Sequence, residues 1–389
     1  MAEEEPPGTP QRPSQRAAPL EALARAAEGP SCGRNVFGIL LPMNRKCSHL
    51  FLLSVVLAAL FAVGTTWADV PDFARLDAVL ERAAEALGGC ALVLVHDGET
   101  VYAKGFGDVT PDDSIAVASA AKWISAAALM SLVGEGLLEL DAPLSRFLPY
   151  LSDGGDPDYK ADITLRMILS YTSGLPAVVP SLYDPTLTLA ECAERLAAFP
   201  FDTQPGKVFR YADLPMQLAG RAAEVVTGKP WAEVFRERIA LPLGMSGTNY
   251  DVPGPTENPQ LAVGFRSSAR EYSHFLTMLL ARGTYEGREV LSPALVSEML
   301  KDQTRDVAPW RRQPYALGAW CTLDPKTGEP VGFSSPGTLG FYPWIDLRRS
   351  VGEVFASASG ADAAWPFYEE LRKVLDALFA PKSTPSTAG

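Results

Sequence analysis

Histidine is scarce: His49, His96 and His274 are the only three in 389 residues. No His-Glu-x-x-His pattern exists, which argues against a zinc hydrolase, and no Gly-x-Ser-x-Gly elbow, which argues against a Ser-His-Asp hydrolase. A glycine-rich phosphate loop ending in Lys-Ser/Thr is also missing. Cysteine is thin, with 5 in all. Those beyond residue 68 are Cys90, Cys192 and Cys321, an odd number at wide spacing and without a zinc-ligand pattern. They read as core residues, with a disulfide between two of them left open. Basic residues are outnumbered, 34 against 46 acidic for a net charge of −12. Such a balance argues against a nucleic-acid partner. Internal repeats are absent.

What is present is enough apolar material, 47% of the chain, for one large or two interleaved globular domains. Residues 1–42, rich in Pro, Ala, Arg and Glu, lack apolar periodicity and read as a disordered extension, or as one added by an upstream start. From Met43, "MNRKCSHLFLLSVVLAALFAVGTTWADV" has a basic start, an apolar run from Leu50 to Gly64 and small residues before Asp69. That is the anatomy of a secretory signal peptide over 43–68, cleaved after Ala68. The expected location is secreted or periplasmic. A membrane anchor is the competing reading, although the run is short of the ~20 residues a span needs. Residues 69–380 are then the working domain and 381–389 a disordered tail.

Along that domain, "CALVLVHDGETVYAKGFGDV" reads as a hairpin turning at Asp97-Gly98. "TLAECAERLAAF", "MQLAGRAAEVVTG" and "AREYSHFLTMLLARGTYEG" carry apolar residues at helical spacing. After Pro309, "YALGAWCTLD", "PVGFSS", "GFYPWIDL" and "SVGEVFASAS" read as short strands, followed by an amphipathic helix from about Trp365 to Phe379. The expected fold class is α/β (α+β). An antiparallel sheet combines the first hairpin with the late strands, helices flank it, and a mainly helical lobe of about 135–300 is inserted.

The chemistry centres on "VASAAKWISAAALMSLV". Ser119 and Lys122 stand three residues apart in an otherwise apolar helix, so they leave the same face near its start. A buried lysine can take the serine proton and create an acyl-transfer nucleophile without histidine. The bland alternative is a helix-capping serine beside a snorkelling lysine.

Other segments decide between these. "SAAKWISAAALMSLVGEGLLELDAPLSRFLP", "ITLRMILSYTSGLP", "FRYADLPMQLAGRAAEVVTGKPW", "LPLGMSGT" and "FLTMLLARGTYEGREVLSPALVSEM" occur in the order found in the serine β-lactamase and penicillin-binding-protein superfamily. The chain resembles its class C-related branch, which includes family VIII esterases and D-amino-acid-peptide hydrolases, over about Phe73 to Leu378. The resemblance implies Ser119 as nucleophile, Lys122 as its proton partner and Tyr211, in "YAD", as the third member of the relay. Taken alone, Tyr211 is equally a packed aromatic before a helix. Asp213 stands where the family usually has asparagine. Its position before "LPMQLAGRAAEVV" also makes it a preferred helix N-cap.

The family's strand motif, Lys-Thr-Gly or His-x-Gly, has a literal match at Lys326-Thr327-Gly328, but "DPKTGEP" reads as a hairpin turn outside the sheet. "FSSPGTLGFYPWID" fits better. It places Ser335-Pro336-Gly337 at the motif, with Gly340, Trp344 and Asp346 aligned after it. Ser335 can donate one hydrogen bond but carries no charge. Asp213 adds an anion that repels substrate carboxylates and favours a protonated Lys122. Both departures weaken the case for β-lactams and D-Ala termini. Asp213, Ser335 and Gly337 are the expected substrate contacts, and the backbone N–H groups of Ser119 and Thr338 the expected oxyanion hole.

The expectation is an exported serine hydrolase that forms an acyl-enzyme with a small-molecule or peptide ester or amide. It needs neither metal nor organic cofactor, and meets the membrane only through an uncleaved signal segment. The alternatives are a D-alanyl-D-alanine carboxypeptidase or β-lactamase, and a non-catalytic cell-wall or ligand-binding protein on the same fold.

Overall fold

A computed structural model describes residues 72–152, 159–309, 313–357 and 359–380. The expected extension, signal segment and C-terminal tail lie outside the described residues. Helix α1 (Ala74–Leu87) buries Leu76, Val79, Leu80, Ala83 and Leu87, a stripe at three and four spacing, and ends at Gly88 in the left-handed region. It leads into the hairpin β1 (Gly89–His96) and β2 (Glu99–Gly107). The late strands are β7 (Trp320–Leu323), β8 (Pro330–Ser334), β9 (Phe341–Asp346) and β10 (Val351–Ser357). All six form one antiparallel sheet in the order β2-β1-β10-β9-β8-β7. First hairpin and last strands therefore share a sheet, as the strand patterns implied.

Both sheet faces are covered, which is why β1 is apolar almost throughout. Leu92 and Leu94 join α1 and the C-terminal helix (Ala361–Leu378) in one core, while Val93 joins the larger core on the other face. This is the two-fold alternation of a strand expressed as two cores. The C-terminal helix begins four residues before the expected Trp365 and accommodates Pro366 early in its length.

The centre of the larger core is α2 (Ala121–Gly134), entered through a single 3₁₀ turn, Ala118–Ala120. Eleven of its side chains are buried, on every face, as expected of a helix apolar all round. Around it stand α3 (Leu165–Leu169), α4 (Leu189–Ala198), α5 (Pro215–Thr227) and α6 (Trp231–Phe235). Then follow α7 (Ala269–Leu280) and α8 (Pro293–Met299). Two short strand pairs accompany them: β3 (Ile115–Ala116) with β4 (Arg266–Ser267), and β5 (Thr284–Tyr285) with β6 (Arg288–Glu289).

The stretch expected as one helix, "AREYSHFLTMLLARGTYEG", is helix only to Leu280. Arg282 and Gly283 take positive φ and turn the chain into the β5–β6 hairpin. Helix α7 also packs directly on β1, β9 and β10, although it falls within the expected inserted lobe.

Candidate active site

The backbone fixes the serine before any side chain does. Ala118 has φ +47°, a region that costs a residue with a Cβ about 1–3 kcal/mol and persists only where neighbours impose it. Those neighbours are identifiable. Val117 donates its N–H to Phe265 O at 3.0 Å, and Tyr272 Oη donates to Ala120 O at 2.7 Å. Ser335 Oγ donates to Ser119 O at 2.9 Å. Gly337 passes so close that a Cβ there would lie 2.0 Å from Val117 O, so only glycine lets the end of β8 approach the serine turn.

Ser119 is 7% exposed and Lys122 wholly buried. Lys122 Nζ donates to Ser119 Oγ at 3.0 Å, to Asp213 Oδ1 at 2.6 Å and to Ala262 O at 3.2 Å. Three acceptors satisfy the three protons of an ammonium, the condition under which a buried cation is tolerated. In this state Lys122 stabilises negative charge on Ser119 Oγ; acting as a base requires that it first give up a proton. Tyr211 meets Lys122 through its ring, with Nζ 4.8 Å from the centroid. The expected trio is thus brought together.

Asp213 differs from one expectation. It does not cap α5 with its side chain: the N-cap is Leu214, with Pro215 opening the helix. The carboxylate instead turns to Lys122 and accepts from Tyr183 Oη at 3.4 Å. A buried ammonium is a more demanding partner than a helix amide that Pro215 already removes. Ser335 is a second correction. It is 2% exposed and its only proton goes to Ser119 O, so the hydroxyl holds the Ser119 turn and has no proton left for a substrate. Gly337 likewise acts by close approach. Thr338 is exposed in the turn after β8, which Gly337 N–H closes on Phe341 O at 2.8 Å and Ala361 N–H ties to Thr338 O at 2.9 Å.

Lys326-Thr327-Gly328 lies in the β7–β8 turn, exposed, its amides bonded to Asp324. The literal motif is therefore outside the site. Cys90, Cys192 and Cys321 are free and buried, which closes the disulfide option among them. Burial pushes the Cys90 thiol up to about 12.

Tyr183 joins the site through Asp213, and burial first, then Asp213, raises its phenol above the ordinary range. Met130 is core and Tyr342 belongs to the opposite face of the sheet. Sequence reasoning gave no role to Trp320, which stacks on Tyr211 with centroids 5.3 Å apart and planes 21° apart. Nothing in residue spacing marks either contact, since both join segments remote in sequence. A cavity of about 700 Å³ lined by residues including Leu279, Val296 and Arg305 shares no residue with this constellation.

An antiparallel sheet, with Ser-x-x-Lys at the head of a buried central helix and an aromatic against the lysine, defines the β-lactamase and penicillin-binding-protein class. The chain belongs to the beta-lactamase family, whose profile matches residues 76–366. It is 34% identical over 200 residues to the esterase EstB of Burkholderia gladioli, covering 44% of this chain and 50% of that protein. To the D-alanyl-D-alanine-carboxypeptidase/endopeptidase AmpH of Escherichia coli K12 it is 28% identical over 195 residues, 46% and 50% of the two chains. The chain spans about half the length of these curated relatives. Among solved structures, a Bacteroides dorei protein with a provisional β-lactamase description aligns with TM-score 0.70 at 31% identity, over 79% of this chain and 99% of that one.

Proposed function

We propose that this protein is a serine hydrolase of the β-lactamase-related esterase type, acting on carboxylic esters or amides that lack an essential carboxylate. The observation that carries the reading is Ser119 Oγ 3.0 Å from a wholly buried Lys122. In the first step, once Lys122 has given up a proton to solvent, Ser119 Oγ bonds to the acyl carbon, and the serine proton passes through Lys122 and Tyr211 to the departing oxygen or nitrogen as that bond breaks. The N–H groups of Ser119 and Thr338 receive the oxyanion. Water then hydrolyses the acyl-enzyme by the reverse relay and restores the Ser119 hydroxyl. Asp213 is the anion nearest this relay, and Ser335 supplies no charge, so a neutral substrate is favoured over a β-lactam or D-Ala terminus. EstB, the esterase among the relatives, supports this choice.

The full engagement of Lys122 by Asp213 favours a second reading, a ligand-binding protein without turnover. Hydrolysis of a short-chain p-nitrophenyl ester and of a chromogenic cephalosporin, each repeated with Ser119→Ala, separates them. Ester turnover lost in the variant supports the esterase, and Ser119-dependent cephalosporin turnover moves the assignment to β-lactamase or carboxypeptidase. No turnover of either by folded protein moves it to the binder. We also propose export through the segment starting at Met43, for which a mature N-terminus near Asp69 is expected and one at Met1 contradicts it.

A further inference from the structure

We infer that Gln217 and Ser125 are positioning residues for Lys122: from two helices they fix Leu261, and with it the carbonyl of Ala262 that is the ammonium's third acceptor, and so help decide how readily Lys122 releases its proton. The inference rests on Lys122 being the proton partner of Ser119.

Leu261 is wholly buried and held at both ends of its backbone. Its N–H donates to Gln217 Oε1 at 3.0 Å, and its carbonyl accepts from Ser125 Oγ at 2.7 Å. The next carbonyl, Ala262 O, accepts from Lys122 Nζ at 3.2 Å. Ser125 stands three residues after Lys122, as Lys122 stands three after Ser119, so one face of α2 meets two successive carbonyls. Gln217 reaches in from α5, where Gly220 permits close approach: a Cβ there would lie 2.7 Å from the Leu261 side chain. The Gln217 amide is buried and fully engaged, with Nε2 donating to Asn258 Oδ1 at 3.0 Å and to Pro259 O at 3.1 Å. Burying an amide costs free energy unless its hydrogen bonds are made, and an apolar side chain would fill the same space without that condition. The bonds that Gln217 makes hold the segment facing Lys122.

What Ala262 O does for Lys122 follows from charge. A carbonyl held against a buried ammonium stabilises the charged form, and one free to move away does not. Lys122 must release a proton before it can accept that of Ser119, so Gln217 and Ser125 act on a step of the reaction through Lys122, without touching substrate. Asp213 and Tyr211 face Lys122 directly. Tyr183 lies behind Asp213, Tyr171 and Tyr315 behind Tyr211, and Tyr250 beyond Ser125. Burial raises the phenols of Tyr171, Tyr183, Tyr250 and Tyr315 above their ordinary range, so these four stay neutral while Lys122 titrates. Asp213 supplies the opposing charge, and substitution of Gln217 or Ser125 leaves it in place.

The pH profile of kcat/KM for phenyl acetate tests this. Gln217→Met keeps the bulk but frees the Leu261 N–H, and the acidic limb should move to lower pH by about one unit, the scale of one hydrogen bond to a charged group. Ser125→Ala releases the same residue at its carbonyl with a smaller change of shape; it should move the limb the same way, and it carries the test if Gln217→Met does not fold. Gln217→Glu keeps an oxygen for the Leu261 N–H in either protonation state and should not lower the limb. A limb that stays at the wild-type pH in the folded variants, however much urea stability they lose, overturns the positioning role while leaving Ser119 as nucleophile. So does a limb lowered equally by Gln217→Glu and Gln217→Met. Wild-type protein that neither cleaves the ester nor takes an acyl group on Ser119 overturns the reading beneath it, and this inference with it.

Discussion

A wholly buried lysine and a half-buried arginine, on opposite faces of the sheet, hold carboxylates at similar distances in different surroundings. Lys122 lies 2.6 Å from Asp213 and Arg372 lies 2.8 Å from Glu353. On the helical side, Asp213 keeps 26% of its side chain exposed and Lys122 also reaches a serine hydroxyl. Under the C-terminal helix, Glu353 is wholly buried, and Arg372 covers the Trp344 ring and pairs with the carboxylates of Glu353 and Asp376. The ion pair by itself is therefore not the signature of chemistry. What distinguishes Lys122 is a serine hydroxyl within hydrogen-bond reach.

The first way to break that contrast is Lys122→Met. It should lower ester kcat/KM by about 10³-fold or more, within the range of general acid–base contributions, while thermal unfolding shifts little because the freed Asp213 is already partly hydrated. Arg372→Met should do the reverse. Leaving Glu353 buried and alone costs about 3–5 kcal/mol, read by urea unfolding, with activity per folded molecule unchanged.

The same pair gives a pH dependence. Burial raises the Glu353 carboxyl above its ordinary range, with Arg372 opposing. The folded state then binds that proton more tightly than the unfolded state, so stability falls as pH rises from the ordinary glutamate range toward the raised one. Glu353→Gln should flatten that slope in urea midpoints measured across it. A smaller effect is expected at the other carboxylate. Asp213→Asn should raise cephalosporin turnover relative to neutral ester by about fivefold, the value of removing roughly 1 kcal/mol of like-charge repulsion. Lys326→Ala should change neither activity by more than about twofold, and a large loss would return the literal Lys-Thr-Gly to the site.

The sheet was legible because alternating apolar strands and turn residues are local signals, and Ser119 with Lys122 because three-residue spacing fixes a common helix face. The positions that reading missed depend on long-range contacts. Asp213 has the composition of a cap, but a buried ammonium from α2 claims it. Ser335 has the composition of a substrate donor, but the turn before α2 uses its proton. Tyr183 and Trp320 carry no spacing signal at all, and acquire significance only when α5 and β7 bring Asp213 and Tyr211 to them. The end of α7 was misplaced for a local reason, positive φ at Arg282 and Gly283 inside an apolar-periodic run.

The most direct test is mass spectrometry of the full chain after a fluorophosphonate probe, with the labelled peptide sequenced. A single adduct on Ser119, absent from folded Ser119→Ala, is the predicted result. Folded wild-type protein with no adduct on Ser119, or with the label on another serine, would contradict the placing of the nucleophile at the head of α2.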